Sequence, residues 1–297
     1  MIAPQKTVRT TEFVAACLMA GLSGSCAETG QDRVSVPLYV SGTAISDPVL
    51  SMGDVPVTIE RADLAFGPLY LCAGNTAGDL CDTARLEWLE TAVVDTASAE
   101  TVAVGDLSGV SGFVRSWMYD LSISSQLTRP EPFVLEAAQD LDGASFVLEG
   151  RALLEGVEIP LFAAVPIQQN STTELGVPVI RKGTDAVFSH DVTGEEKRLT
   201  LRFDAAAWVS RIDLRPYLED ETCETSDSAV VCQGQTELSC DSNGALVESR
   251  ECPAMDQVCL RGQGCAESIT LEKGSEPYQS LAIALTTTGR PDFDWDD

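Results

Sequence analysis

The chain of 297 residues carries 46 acidic side chains against 19 lysines and arginines, a formal charge of −27 at pH 7. Nucleic acid and anionic lipid surfaces repel such a chain, which argues against both as partners and leaves basic ligands or a solvated acidic skin. With 44% hydrophobic and 22% charged residues it has the makeup of a globular protein with a sizeable core and not of a disordered one.

Lys6 and Arg9 precede an apolar run at residues 13–22, then small residues lead to Cys26. A basic start, a short apolar segment and a small-residue exit predict a signal peptide over residues 1–25. The run is too short to span a bilayer, which takes about 20 residues. Leu22-Ser23-Gly24-Ser25-Cys26 resembles a bacterial lipobox, although the leucine stands one place further from the cysteine than usual. The resemblance implies acylation of Cys26, a lipidated tether at residues 26–33 and a place in the outer membrane. Ser23 and Ser25 also fit ordinary small-x-small cleavage, which would give a periplasmic or secreted protein. Parity favours the lipid: of ten cysteines, Cys17 leaves with the signal peptide, and acylation of Cys26 leaves an even eight to pair.

Residues 34–217 read as a mostly β, antiparallel, sandwich-like domain. Strands are expected at 34–45, 55–71, 101–104, 112–123, 133–138, 177–181 and 197–203, with a short helix at 82–91 around Trp88. In the 197–203 stretch Leu199, Leu201 and Phe203 alternate with Arg198, Thr200 and Arg202. Two apolar runs, 146–154 and 157–165, flank Glu155-Gly156, a hairpin signature because glycine supplies the positive φ of a tight turn. Cys72 and Cys81 bracket a turn-rich segment and are expected to form a disulfide. Asp204 is placed to cap a short helical turn ending near Trp208.

Residues 218–268 hold Cys223, Cys232, Cys240, Cys252, Cys259 and Cys265, separated by 8, 7, 11, 6 and 5 residues. The CxxC knuckles of a zinc site are missing, and so small a module needs covalent staples, so a disulfide-rich insert is expected. Six cysteines permit 15 pairings, and spacing does not choose among them. Residues 269–297 then read as a helix and a strand returning to the β domain. Ser275 caps the helix, with Pro277 in its first turn and Gly289 and Pro291 closing it. Tyr278, Leu281, Ala282 and Leu285 form one apolar stripe, and Phe293 and Trp295 alternate with aspartates as an edge strand.

Ala65-Phe66-Gly67-Pro68-Leu69-Tyr70, Trp117-Met118-Tyr119-Asp120 and the cysteine pattern together resemble envelope lipoproteins of delta-proteobacteria that carry a cysteine-rich insert. The resemblance implies no particular activity.

Catalytic motifs are weak. His190, the single histidine, stands beside Asp191, but Gly109-Val110-Ser111-Gly112-Phe113 lacks the last glycine of a GxSxG elbow, so a loop histidine without catalytic role is expected. Asp140, Asp142, Gly143 and Glu149 match part of a calcium loop, with Ala138 at its first position. Asn170-Ser171-Thr172 is a sequon better read as a polar loop. The expectation is a non-enzymatic exported envelope lipoprotein, without cofactor or metal, meeting an envelope protein or small ligand. Two alternatives stand beside it. One is a calcium-stabilised surface protein; the other is a secreted hydrolase using carboxylates such as Glu136 and Glu149.

Overall fold

Alternating apolar positions build two sheets that close on one core. The computed structural model describes residues 32–74, 84–124, 133–167, 181–183, 189–218, 223, 230–252, 257–260 and 263–296. The expected signal peptide, Cys26 with the tether as far as residue 31, Cys81, the sequon at Asn170 and the strand expected at 177–181 as far as residue 180 lie outside these residues, while Arg33, expected at the end of the tether, begins the first strand.

The larger sheet has eight strands in the order Arg181–Gly183, Ser116–Tyr119, Leu69–Cys72, Ala84–Trp88, Val102–Val110, Arg33–Ser41, Arg198–Arg202 and Asp292–Asp296. The smaller runs Val49–Leu50, Pro56–Phe66, Phe146–Leu154, Val157–Val165 and Ile269–Thr270, with Ala92–Asp95 also paired to Pro56–Phe66. Val36, Leu38, Leu71, Leu86, Leu107, Leu199 and Leu201 from the first sheet share one buried cluster with Leu64, Phe66, Phe146, Leu148, Leu161 and Ala163 from the second. The fold is therefore mostly β and sandwich-like.

The expected hairpin is present over nine residue pairs, from Phe146↔Val165 to Leu154↔Val157. Glu155 and Gly156 have φ of 49° and 84°, the two positive values a two-residue hairpin turn of the primed type needs. The sheets are not wholly antiparallel. Arg33–Ser41 runs parallel to Arg198–Arg202, and Val157–Val165 runs parallel to Ile269–Thr270. Both parallel pairs join segments distant in sequence, where long crossovers leave direction free.

Several expectations shift. Residues 84–88 form a central strand and not a helix, because Leu86 and Trp88 alternate inward between two partner strands. The 55–71 stretch breaks into Pro56–Phe66 and Leu69–Cys72 at a cis Gly67–Pro68 bond. The 112–123 stretch likewise divides, into Gly112–Val114 and Ser116–Tyr119. The strand expected at 101–104 runs on as Val102–Val110, and that expected at 133–138 ends at Val134 and gives way to the helix Glu136–Asp140. That helix packs Ala137, Ala138 and Leu141 on Ala65 and Val147, which project from the opposite face of the smaller sheet.

Asp204 accepts the Ala206 amide and caps the helix Ala205–Val209. Ser275 accepts the Tyr278 amide at the start of Glu276–Thr287, whose Tyr278, Leu281, Ala284 and Leu285 are buried. Ala284 thus joins the stripe more deeply than Ala282. Asp292–Asp296 closes the larger sheet as its edge strand beside Arg198–Arg202.

The insert carries disulfides Cys223–Cys240, Cys232–Cys259 and Cys252–Cys265. Cys72 is also disulfide-bonded. The insert is less self-contained than its composition predicts, since Val258 and Leu260 belong to the main core cluster. Disulfides of this number mark a chain that folds outside the reducing cytoplasm. Among the described residues no helix is long and apolar enough to cross a membrane.

Candidate functional site

Two neighbouring strands of the larger sheet, Ala84–Trp88 and Val102–Val110, pair only at Leu86↔Gly109 and Glu87↔Ser108. Beyond that point they separate. On its other side Val102–Val110 shifts register against Arg33–Ser41 between Leu38↔Gly105 and Tyr39↔Ala103, leaving one extra residue, a bulge of the kind that re-aims a strand. The separation opens a cleft of about 410 Å³ at the sheet rim, lined by Glu87, Trp88, Leu89, Glu90, Gly105, Asp106 and Ser108. Its size falls within the roughly 300–1,000 Å³ of small-molecule sites.

Trp88 forms the inner wall and is only 3% exposed. Its ring stacks on Phe66 at 5.7 Å between centroids. Two glycines bracket the indole. A Cβ on Gly67 would stand 2.7 Å from the six-membered ring, and one on Gly105 would stand 2.8 Å from Nε1. Gly105 adopts φ +145°, which other residues rarely take. Buried beside it, Trp88 Nε1 has no hydrogen-bond partner among the described residues. A buried N–H left this way costs about 1–3 kcal/mol.

The rest of the cleft is acceptor-rich. Glu87, Glu90 and Asp106 are exposed at its mouth, and Ser108 adds a hydroxyl. Glu90 Oε2 is 3.7 Å from the point where a Gly105 Cβ would lie. Across the strand pair Tyr70 stands opposite Glu87. Burial raises the Tyr70 phenol above its ordinary value, and the charges of Glu87 and Asp120 add to the rise. The neutral phenol extends the outer face of the sheet beside the cleft.

His190 lies elsewhere and in a strand, not a loop: His190–Val192 pairs with Gly112–Val114. The strand pairing fixes its backbone, and its ring stacks on Trp295 with centroids 4.2 Å apart. Nε2 is 3.3 Å from Glu196 Oε1. Burial pushes the Glu196 carboxyl up, but the amides of Thr193 and Gly194 and the Thr193 hydroxyl donate to it and leave it below its ordinary range. The Ser111 hydroxyl accepts the Asp32 amide.

The part-matched calcium loop is a helix-ending turn. Asp142 and Gly143 have φ of 54° and 85°, and the Gly143 amide donates to the Ala138 carbonyl. Glu149 is paired instead with Arg61 Nη1 at 2.6 Å. Among the described residues no group of three or more histidine, cysteine or carboxylate side chains is placed to hold a metal ion. Among the described residues the two buried carboxylates are Glu196, in the loop after His190–Val192, and Glu237, in the strand Thr236–Cys240, and they have separate partners.

The sequence reading missed Trp88, Gly105 and Glu90 as a group. In the sequence Trp88 falls in the stretch that reads as a short helix, and no local motif joins it to a glycine 17 positions on; strand register does.

No family model matches the chain, and neither does any curated protein. Among solved structures, MbnP from Methylosinus trichosporium aligns with a TM-score of 0.30 and 10% identity, over 61% of this chain and 78% of that one. A likeness that slight carries nothing about function.

Proposed function

We propose that the chain is an exported bacterial envelope protein, anchored by a lipid on Cys26, whose β-sandwich serves as a binding module with the rim cleft as its site. The observation that carries the binding reading is the cleft of ligand size itself, walled by Trp88 and rimmed by Glu87, Glu90, Asp106 and Ser108. The disulfides support export, and the lipobox-like run ending at Cys26 supports the anchor in the outer membrane. Multiple acyl chains hold firmly where one would not, at roughly 0.8 kcal/mol per buried methylene.

Radiolabelled palmitate should enter the full-length chain in a bacterium that processes lipoproteins and should not enter Cys26→Ser; an unlabelled wild-type chain would remove the anchor. For the binding reading, small molecules of several charge classes should be screened for a rise in Tm, since a ligand held only by the native state stabilises it. A ligand that raises the Tm of the wild type but not of Gly105→Ala is the expected result, and a screen without one counts against a binding role.

A further inference from the structure

The insert holds a three-stranded antiparallel sheet, Val230–Gln233, Thr236–Cys240 and Leu246–Glu251, with the last strand at its edge. All six residues of that edge strand are exposed, Leu246 and Val247 at 57% and 68%, so no described element covers it. In an antiparallel pair, successive residues turn their backbone groups alternately to one side and the other. The Cys252 amide donates to the Gln235 carbonyl, which fixes the phase. Glu248 and Arg250 therefore point toward Thr236–Cys240, while Ser249 and Glu251 point their N–H and C=O out from the edge. Outward groups of this kind, without a backbone partner among the described residues, are a template for another strand.

A second copy of the strand fits this edge in one register. About a two-fold axis, directly opposite residues must both point across the seam or both point away, so the axis falls on a residue and not between two. On Glu248 it would set glutamate against glutamate, and on Arg250 arginine against arginine, and like charges directly opposite destabilise. Val247 is the extra residue of a register shift, which leaves Glu248–Glu251 as the regular part. An axis on Glu251 would leave most of the strand unpaired. On Ser249 the two serines exchange both backbone bonds, and Glu248 of each copy faces Arg250 of the other. These facing pairs are the closer, non-hydrogen-bonded kind, with Cα atoms about 4.5 Å apart. Arg250 spends Nε and Nη2 on Glu237, which leaves Nη1 for the second copy. We propose that two copies of the chain pair antiparallel along Leu246–Glu251 about a two-fold axis at Ser249, sealed by two Glu248–Arg250 ion pairs. The chain's charge of −27 opposes approach at long range, but that repulsion is screened beyond about 8 Å at physiological salt. One strand a side is smaller than the roughly 1,200–2,000 Å² of stable complexes, so the dimer is weak, with a Kd on the order of 100 µM.

The test is sedimentation equilibrium of the mature protein, disulfides intact, from about 10 µM to about 1 mM at about 0.15 M salt. The wild type should pass from monomer to dimer across that range. Ser249→Pro removes only an outward N–H and spares the bonds to Thr236–Cys240, so it should stay folded and monomeric. Glu248→Arg should weaken the dimer about tenfold by setting arginine against arginine. Arg250→Glu should weaken it likewise, and an equal mixture of these two charge variants should associate again, because every facing pair is then Glu against Arg. Arg250→Glu also strips Glu237 of its partner. Should that variant fail to fold, the 15N amide signals of the wild type decide: Ser249 should move downfield with concentration, while Arg250, already bonded to the neighbouring strand, holds its place. A chain that stays monomeric throughout overturns the proposal. A dimer that survives Ser249→Pro or Glu248→Arg also overturns it, since the contact then lies on another face.

Discussion

At Gly105 one methyl group is enough to test the cleft. Alanine there must adopt φ +145° and bring its Cβ to 2.8 Å from Trp88 Nε1. Strain of that kind costs about 1–3 kcal/mol, so Gly105→Ala should lower the Tm by several degrees while leaving a folded protein with a filled cleft. Thermal denaturation checks this, and an unchanged Tm would mean that the strand relaxes and the bulge is not fixed. Glu237 tests the insert in the same way. Arg250 donates to it through Nε and Nη2, each at 2.9 Å, and the Cys265 amide donates at 2.8 Å. The Arg250 hydrogen bonds, opposed by burial and helped by the Cys265 amide, hold its carboxyl below the ordinary glutamate range. A depressed folded value means the stabilisation is complete above that range, near pH 4.3, and is lost as pH falls through the folded value. The protection factor of the Cys265 amide, its rate relative to an unstructured chain at the same pH, should therefore fall on acidification, and Glu237→Gln should show low protection already at neutral pH, with about 1–3 kcal/mol lost. Equal protection in the two proteins at pH 7 would show that the disulfides alone hold the hairpin.

Among elements, the hairpin at 146–165 shows what local sequence controls. Its turn requires positive φ at Glu155 as well as at Gly156, and a glutamate pays for that conformation where asparagine does so more cheaply. Glu155→Asn should stabilise the protein by about 0.5–1 kcal/mol in a denaturant titration, less the exposed contact from Gln235 to the Glu155 carboxylate. A loss of stability would point to that contact as the stronger term. The hairpin, the caps at Asp204 and Ser275 and the edge strand Asp292–Asp296 were all legible beforehand, because each is set by residues within a few positions. The strand Ala84–Trp88 was not. Its Arg85, Leu86 and Glu87 suit a helix as well as a strand, and only pairing with Leu69–Cys72 and Val102–Val110 decides. For the same reason the cleft was illegible: it arises from where two strands stop pairing, which no residue pattern along either strand records. The parallel pairing of Arg33–Ser41 with Arg198–Arg202 belongs here too, since it joins residues more than 150 positions apart.

For the whole molecule the open question is whether the insert is an appendage or part of the body. Its three disulfides interleave, joining residues 17, 27 and 13 positions apart, so each loop shares chain with the next. Each such loop is worth about 3 kcal/mol in the chain-entropy model, and interleaving makes the three less than additive. The middle bridge is placed differently from its neighbours. Cys259 stands between Val258 and Leu260, which are 1% and 0% exposed and lie in the main core. From the insert the chain continues into Ile269–Thr270, a strand of the smaller sheet, and then into Glu276–Thr287, whose Leu281 is fully buried. Loosening the insert therefore frees the backbone that leads into both. Removing the middle bridge as Cys232→Ser with Cys259→Ser should cost about 3 kcal/mol or more, and more than removing Cys223–Cys240. Full reduction should lower one cooperative transition, seen together by calorimetry and by tryptophan fluorescence, because the tryptophans all lie in the body and would otherwise not report on the insert. Two separate transitions, with fluorescence following only the upper one, would instead show an insert that melts by itself while the sandwich stands.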